Sequence, residues 1–208
     1  MSAVSFRLSP ESSIQDYLSA NQEWATSASP AVLNSNSLGQ QPHTLWIGCA
    51  DSRCSEFALK NLQPGEIFTH RNIANIMNNP SDPSSKAILK FAVESLKVKK
   101  ILVTGHTKCG GVDASLSIAN SENYYDSQVP SELVDWLSPL ISLKFKHQHE
   151  LQQIEDPVLK NKKLGELNVK AQIESIKQNP VVNKAMEERG LEVYGLVYDV
   201  DTGLLKLA

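Results

Sequence analysis

Residues 100–111, KILVTGHTKCGG, join a short apolar run to a glycine-rich turn. The run Lys100–Gly105 is rich in β-branched residues, which predicts a buried strand. Residues 112–119 continue with a helical pattern, so the segment is predicted to be a strand followed by a helix. His106 and Cys109 then lie at the carboxyl end of the strand, where α/β sheets hold their functional groups.

The same alternation continues along the chain in both directions. Further strands are predicted at Thr44–Gly48 and Glu66–His70, and a last one at Leu191–Asp199, with a turn at Thr202-Gly203 before residues 204–207. Helices are predicted over residues 9–25, 84–96, 131–154 and 157–179, and a polar loop over residues 26–42. Strands that alternate with helices predict an α/β fold with a mostly parallel central sheet flanked by helices.

Length and composition limit the function classes. A chain of 208 residues suits one domain with one sizeable core, so a single domain is expected over residues 1–208. A net charge of −3 without a basic stripe argues against a nucleic-acid partner. No apolar stretch is long enough to cross a membrane, and residues 1–10 lack the pattern of a secretory signal. Three cysteines, an odd and low count, indicate a reducing compartment, so a cytoplasmic protein is expected.

A second motif, Cys49-Ala-Asp51-Ser-Arg53, follows the strand Thr44–Gly48. If the two strands are neighbours, Cys49 joins His106 and Cys109 at one edge of the sheet. Two thiolates and an imidazole suit zinc, and three protein ligands leave a fourth position open for catalysis. The sequence therefore predicts an open zinc site with one ion per chain.

Cys54 has two alternative interpretations. It is either a small core hydrophobe or a fourth ligand that closes a structural Cys3His site. The closed site would leave Asp51 and Arg53 without a role, which favours the open one.

The spacing Cys49-x-Asp51-x-Arg53, followed downstream by His106-x-x-Cys109-Gly-Gly, resembles the signature of the β-class carbonic anhydrases. Residues 66–75, 166–172 and 203–205 are also similar to that family. The resemblance implies a zinc-dependent lyase. Such an enzyme hydrates carbon dioxide reversibly to bicarbonate and a proton, by attack of zinc-bound hydroxide.

The resemblance also implies roles for single residues. Asp51, held by Arg53, would accept the proton of the bound hydroxide. The side chain of Gln40 from a neighbouring subunit and the backbone N–H of Gly110 would bind substrate oxygen. Three apolar residues would form the wall of the carbon dioxide pocket: Phe68, Ile73 and Phe91.

Some members of that family carry a second, non-catalytic bicarbonate site built from Trp, Arg and Tyr. Trp46, Arg71 and Tyr198 stand at the matching positions here. In those members the residue that matches Asp51 can leave its arginine and become the fourth zinc ligand, which gives an inactive closed form. We expect the same switch here, with the closed form at acidic to neutral pH. The alternative is that Trp46 and Tyr198 are ordinary buried aromatic residues and that Arg71 pairs elsewhere.

The N-terminal region, residues 1–40, resembles the arm and loop that members of the family lay across a partner subunit. The resemblance implies a homodimer as the basic unit, with dimers that can pair into tetramers. Two other functions stay open at this point. One is hydrolysis of carbon disulfide or carbonyl sulfide at the same site, and the other is a zinc-stabilised sensor domain without turnover.

Overall fold

The structure is a computed structural model that describes residues 6–208, so the first five residues of the predicted domain lie outside the described part. The chain divides into two compact units, Met1–Gln40 and Gln41–Ala208. Within residues 6–208, no helix combines the length and the apolar character that a membrane span needs.

The N-terminal unit contains two helices, α1 (Ile14–Ser27) and α2 (Pro30–Ser37). Helix α1 begins later than the predicted residue 9. The Asp16 carboxylate explains this start, because it accepts hydrogen bonds from the Ser13 backbone N–H at 2.7 Å and from the Ser13 Oγ at 2.8 Å. The predicted loop over residues 26–42 is wrong across α2, where a proline suits the first helical turn.

Neither of these two helices buries a residue in the described structure. Their apolar side chains are instead exposed to a large extent. The larger ones are Ile14, Tyr17, Leu18, Trp24 and Leu33.

The second unit is built on a five-stranded sheet with the order β2-β1-β3-β4-β5. Its strands are β1 (Thr44–Cys49), β2 (Ile67–Asn72), β3 (Lys100–His106), β4 (Glu192–Asp199) and β5 (Leu204–Leu207). The first four strands are parallel to their neighbours, and only β5 pairs antiparallel, with β4. The prediction of a mostly parallel α/β sheet is therefore confirmed.

Six helices flank this sheet. They are α3 (Pro83–Lys90), α4 (Gly110–Ser117), α5 (Ser131–Lys146), α6 (Gln148–Gln152), α7 (Pro157–Gln178) and α8 (Pro180–Arg189). The helix predicted over residues 84–96 is α3 followed by a π-helical turn at Phe91–Ser95. Helix α8 was not predicted. It begins after α7 because the Asn179 side chain caps the Val181 N–H at 3.0 Å, next to a proline.

Helix α7 packs closely against the sheet near the carboxyl end of β3. Leu45, Ile47 and Val103 are fully buried in the same apolar cluster as Val169 and Ile176 of this helix. A Cβ on Gly105 would lie 2.7 Å from the Val169 Cγ2 atom, so a side chain there would force the helix away from β3. The glycine thus sets the short distance between α7 and the carboxyl end of β3.

Candidate metal centre

Three buried donor groups converge at the carboxyl edge of the sheet. Cys49 ends β1, His106 ends the neighbouring strand β3, and Cys109 directly precedes α4. Their ligand atoms all lie within 4.8 Å of one another, and the two sulfur atoms are 4.0 Å apart. The structure thus brings together the three residues that the sequence proposed as ligands.

The imidazole of His106 is oriented for a metal. Its Nδ1 lies 2.9 Å from the carbonyl oxygen of Thr107, which can only accept, so Nδ1 carries the proton. Its Nε2 is buried and has no hydrogen-bond partner among residues 6–208. A buried polar atom without a partner costs about 1–3 kcal/mol, so the site fits a cation at this atom.

The electrostatics of the three donors also fit a cation. The contact with Cys109 is the main reason that the pKa of Cys49 is lowered, to about 4, and the same contact raises the pKa of the Cys109 thiol. Burial lowers the pKa of His106, but contacts with Cys49 and Cys54 outweigh it and raise that pKa to about 10. A thiolate therefore lies beside the imidazole, and a divalent metal displaces protons from such donor groups when it binds.

Asp51 and Arg53 form a bidentate ion pair beside the donors. The Arg53 Nε donates to Asp51 Oδ1 at 3.0 Å, and its Nη2 donates to Asp51 Oδ2 at 2.7 Å. These hydrogen bonds are the main reason that the pKa of Asp51 is lowered, to about 2. The Asp51 Oδ2 atom is 3.8 Å from the His106 Nε2, so an ionised carboxylate lies next to the metal set.

The Arg53 guanidinium also ties the two metal loops together. Its Nη2 donates to the carbonyl oxygen of Lys108, in the loop between His106 and Cys109, at 3.1 Å. The ion pair is therefore anchored to both loops that carry ligands.

Cys54 is buried, and its N–H donates to the Asp51 carbonyl oxygen at 3.0 Å. Its side chain contributes to the raised pKa of His106 and so lies near that ring. The set of mutually close donor atoms, however, comprises Cys49, His106 and Cys109 and does not include Cys54.

The residues proposed for the pocket wall lie on β2 and on the turns that follow β2 and α3. The rings of Phe68 and Phe91 are 5.7 Å apart, and Phe91 is 46% exposed. Ile73 is 44% exposed and lies against the start of α4, because a Cβ on Gly111 would be 2.9 Å from the Ile73 Cγ2. Gly110 is the first residue of α4, and apart from its chain neighbours and its own helix backbone no atom of residues 6–208 lies within 4 Å of where its Cβ would be.

Trp46, Arg71 and Tyr198 lie on β1, β2 and β4. The Trp46 indole is buried above Gly48, and its Nε1 has no hydrogen-bond partner in the described part of the chain. The Arg71 guanidinium donates to the backbone carbonyl oxygens of Cys49 at 2.8 Å and Asp51 at 2.6 Å. These contacts between Arg71 and the backbone of Cys49 and Asp51 were not predicted from the sequence.

Gln40, the residue proposed to reach a neighbouring subunit, ends the N-terminal unit and is exposed. Three buried amides of α7 were assigned no role from the sequence: Asn161, Asn168 and Gln172. Asn161 bonds to Cys109, whereas Asn168 and Gln172 bond to the segment after β2, at Ala74 and Met77. The available signal was the position of polar amides on the otherwise apolar face of a long helix.

Comparison with known proteins identifies close relatives. Residues 44–205 match the carbonic anhydrase family model. A carbonic anhydrase of Candida albicans is 43% identical over 205 residues, which cover 96% of this chain and 69% of that protein. One from Saccharomyces cerevisiae is 39% identical over 205 residues, with 97% and 91% covered.

Solved structures give the same result. The chain is similar to a tetrameric β-carbonic anhydrase of Sordaria macrospora, with a TM-score of 0.85, 38% identity, and coverage of 93% of this chain and 95% of that one. It is also similar to a β-carbonic anhydrase of Aspergillus fumigatus, with a TM-score of 0.85, 44% identity, and coverage of 94% and 90%.

Proposed function

This chain belongs to the carbonic anhydrase family, and we propose that it hydrates carbon dioxide reversibly to bicarbonate on a zinc ion held by Cys49, His106 and Cys109. The observation that carries the proposal is the buried set of three donor atoms within 4.8 Å of one another, with an unpartnered Nε2. When bound, zinc acts as a Lewis acid that brings the pKa of a bound water toward neutrality and so supplies the nucleophile.

Asp51 would direct that nucleophile. Because Arg53 donates to both of its oxygens, the Asp51 carboxylate stays ionised and fixed. Its Oδ1 accepts two of these bonds, whereas Oδ2 accepts one and keeps a free lone pair. It can accept the proton of the attacking hydroxyl group and thereby turn the oxygen lone pair toward carbon. The 3.8 Å between Asp51 Oδ2 and His106 Nε2 supports this role, since both atoms border the same space.

The substrate would be held by one backbone donor and by apolar side chains. The Gly110 N–H stands at the N-terminus of α4, which favours the negative charge that develops on substrate oxygen. Gln40 of a neighbouring subunit would donate the second hydrogen bond. Carbon dioxide is apolar, and the exposed faces of Ile73 and Phe91 beside Phe68 suit it.

Stopped-flow measurement of carbon dioxide hydration by the zinc-loaded chain tests the proposal, with sulfide release from carbon disulfide assayed in parallel. We expect hydration with one zinc per chain and no detectable sulfide. Sulfide release without hydration would favour the carbon disulfide or carbonyl sulfide hydrolase. One bound zinc without turnover at any pH would favour the sensor domain.

We further propose that the N-terminal unit is an arm that packs on a partner subunit, in a homodimer that can pair into a tetramer. The exposed apolar residues of α1 and α2 support this, because a surface of this kind is unfavourable in water unless it is covered. Sedimentation velocity should give a dimer or tetramer for the full chain and a smaller particle for a chain that starts at Gln41. The same assembly for both chains would contradict the arm.

The three cysteines are free, which favours a reducing compartment, and we propose the cytoplasm. Recovery of the protein from a membrane-enclosed fraction of lysed cells would contradict this.

We also propose that bicarbonate at Trp46, Arg71 and Tyr198 favours a closed form in which Asp51 leaves Arg53 and fills the fourth metal position. The unpartnered Trp46 Nε1 supports an anion nearby, because it is a buried donor without an acceptor in the described chain. Arg71 supports the coupling, since its guanidinium holds the backbone of Asp51 itself.

A further inference from the structure

Helix α7 directs three amide side chains at the backbone of Cys109 and of the segment after β2. Asn161, Asn168 and Gln172 are at most 2% exposed, although most polar residues of this class lie at protein surfaces. Their separations of seven and four residues put them on one face of the helix. We call these three residues the amide ladder.

Asn161 holds the backbone of one metal ligand from both sides. Its Oδ1 accepts from the Cys109 N–H at 3.1 Å, and its Nδ2 donates to the Cys109 carbonyl oxygen at 3.0 Å. The same Nδ2 donates to the Asp113 Oδ1 at 2.6 Å. The peptide groups on both sides of the Cys109 Cα are therefore fixed, and with them the direction of its Cα–Cβ bond.

Asn168 acts on the other thiolate through one intermediate residue. The Ala74 N–H donates to the Cys49 Sγ at 3.4 Å, and the Asn168 Nδ2 donates to the Ala74 carbonyl oxygen at 2.8 Å. Ala74 has φ 61° and ψ 26°, a left-handed conformation that is unfavourable for a residue with a Cβ. In this conformation its N–H is held by the Cys49 sulfur and its C=O by Asn168.

Gln172 orients Asn168. Its Oε1 accepts from the Met77 N–H at 2.8 Å, and its Nε2 donates to the Asn168 Oδ1 at 2.9 Å. Because the amide oxygen of Asn168 is occupied in this way, its NH2 group faces Ala74. Hydrogen bonds therefore connect the Met77 backbone, through Gln172, Asn168 and Ala74, to the sulfur of Cys49.

We propose that the amide ladder is a set of positioning residues that aims the two cysteine sulfurs at the metal, through Ala74 for Cys49 and directly through the Cys109 backbone. Hydrogen bonds that orient metal ligands normally tune both the affinity and the electronic character of a site. The inference rests on the metal site of the proposed function. The inference goes beyond the proposed function because it assigns a positioning role to residues that contact neither metal nor substrate.

The competing explanation is that these amides only satisfy buried backbone groups. Asn79 provides a matched control for that effect. It is also a buried asparagine, and its Nδ2 donates to the carbonyl oxygens of Asp135 at 3.3 Å and Trp136 at 3.1 Å, on helix α5. Asn79→Leu therefore removes bonds to backbone carbonyls that lie further from the sulfurs, since only the Trp136 indole, which donates to the Ile73 carbonyl oxygen at 2.8 Å, connects them to the peptide before Ala74. Asn168→Leu instead removes the bond that holds Ala74 itself.

The test compares these two variants by zinc affinity in chelator competition and by the sulfur-to-metal charge-transfer absorption of the cobalt-loaded chains. Thermal unfolding should report lower stability for both. We expect Asn168→Leu to weaken zinc binding by about 10- to 100-fold and to shift the cobalt spectrum. Asn79→Leu should leave the spectrum unchanged and the affinity within a few-fold of the parent. If Asn168→Leu does not fold, Asn168→Ser, whose hydroxyl is too short to reach Ala74, is judged by the same criteria.

Equal zinc affinities and identical cobalt spectra for the two variants would overturn the ladder. These readouts need no turnover, so a parent chain that binds zinc but hydrates no carbon dioxide would contradict the proposed function and leave this comparison valid. A parent chain that binds no zinc would overturn both.

Discussion

Replacing Asp51 with alanine is expected to lower kcat/KM for carbon dioxide hydration by about 10²- to 10⁴-fold while zinc stays bound, because a positioned proton acceptor is worth that much. Asp51 is not among the three buried donors, so the metal set survives the change. What is lost is the carboxylate that lies 3.8 Å from the His106 Nε2 and that Arg53 holds ionised. Stopped-flow rates, each paired with a zinc determination on the same preparation, measure the effect.

Asp51→Asn and Asp201→Ala are the controls for this experiment. The asparagine keeps the shape of Asp51 but replaces one acceptor oxygen with a donor, so it should be nearly as inactive as alanine. Asp201 pairs with Lys108 at 2.6 Å on the surface near the same loop, and such pairs contribute little. Asp201→Ala should therefore stay within a few-fold of the parent. An Asp51→Ala variant that keeps a tenth or more of the activity would contradict the role of Asp51 as proton acceptor. A variant that loses zinc in proportion to activity would contradict it as well.

The central sheet could be predicted from the sequence because its strands carry their signal locally. Lys100–His106 is a compact apolar run between polar segments, and no distant contact is needed to recognise it. Helix α2 escaped prediction because serine and asparagine dominate its composition, while its start depends on one proline position. The late start of α1 escaped for a related reason. Ser9 followed by Pro10 suits a helix start at residue 9, and only the contacts of Asp16 with Ser13 place the start at Ile14.

The ligand set could be anticipated because Cys49 and His106 each follow a strand, and parallel strands bring their carboxyl ends to one edge. The hydrogen-bond partners of buried polar groups could not be anticipated in this way. Arg71 binds two carbonyl oxygens of the loop after β1, a contact that depends on the register of β2 against β1. The same holds for Asn168, whose bond to Ala74 joins residues 94 positions apart.

The closed form predicts that activity is low at neutral pH and rises steeply at alkaline pH. Arg53 holds the pKa of Asp51 at about 2, so this carboxylate is protonated only in strong acid and is ionised throughout the working range. Its own titration therefore cannot produce a rise between about pH 6 and 9, and the carboxylate can bind either Arg53 or the metal over that whole range. At the fourth metal position the Asp51 carboxylate would compete with hydroxide, whose concentration rises tenfold with each pH unit. The population of the open form, in which Asp51 is bonded to Arg53, should therefore increase as the pH rises.

The pH profile of kcat from about pH 6 to 9 measures this effect, and we expect a rise approaching tenfold per unit at its steepest. Added bicarbonate should shift the rise to higher pH beyond simple product competition. Trp46→Phe should abolish that shift, since it removes the unpartnered indole N–H and keeps an aromatic ring in the buried position. Tyr194→Phe, an exposed tyrosine on the same strand as Tyr198, should leave the shift intact.

A flat profile would contradict the switch, as would a zinc-loaded crystal at neutral pH with Asp51 still on Arg53. The physical demand on the switch is specific. Asp51 must give up both hydrogen bonds from the Arg53 side chain and the one from the Arg53 backbone N–H at 3.0 Å. Its backbone carbonyl stays on Arg71, which supplies a fixed pivot for the loop. The Arg53 side chain is 51% exposed, so solvent weakens the pair, but without a metal Asp51 has no second partner that would replace these hydrogen bonds. Metal-free protein should therefore keep Asp51 on Arg53 at every pH at which the fold persists, and only the zinc-loaded chain should switch.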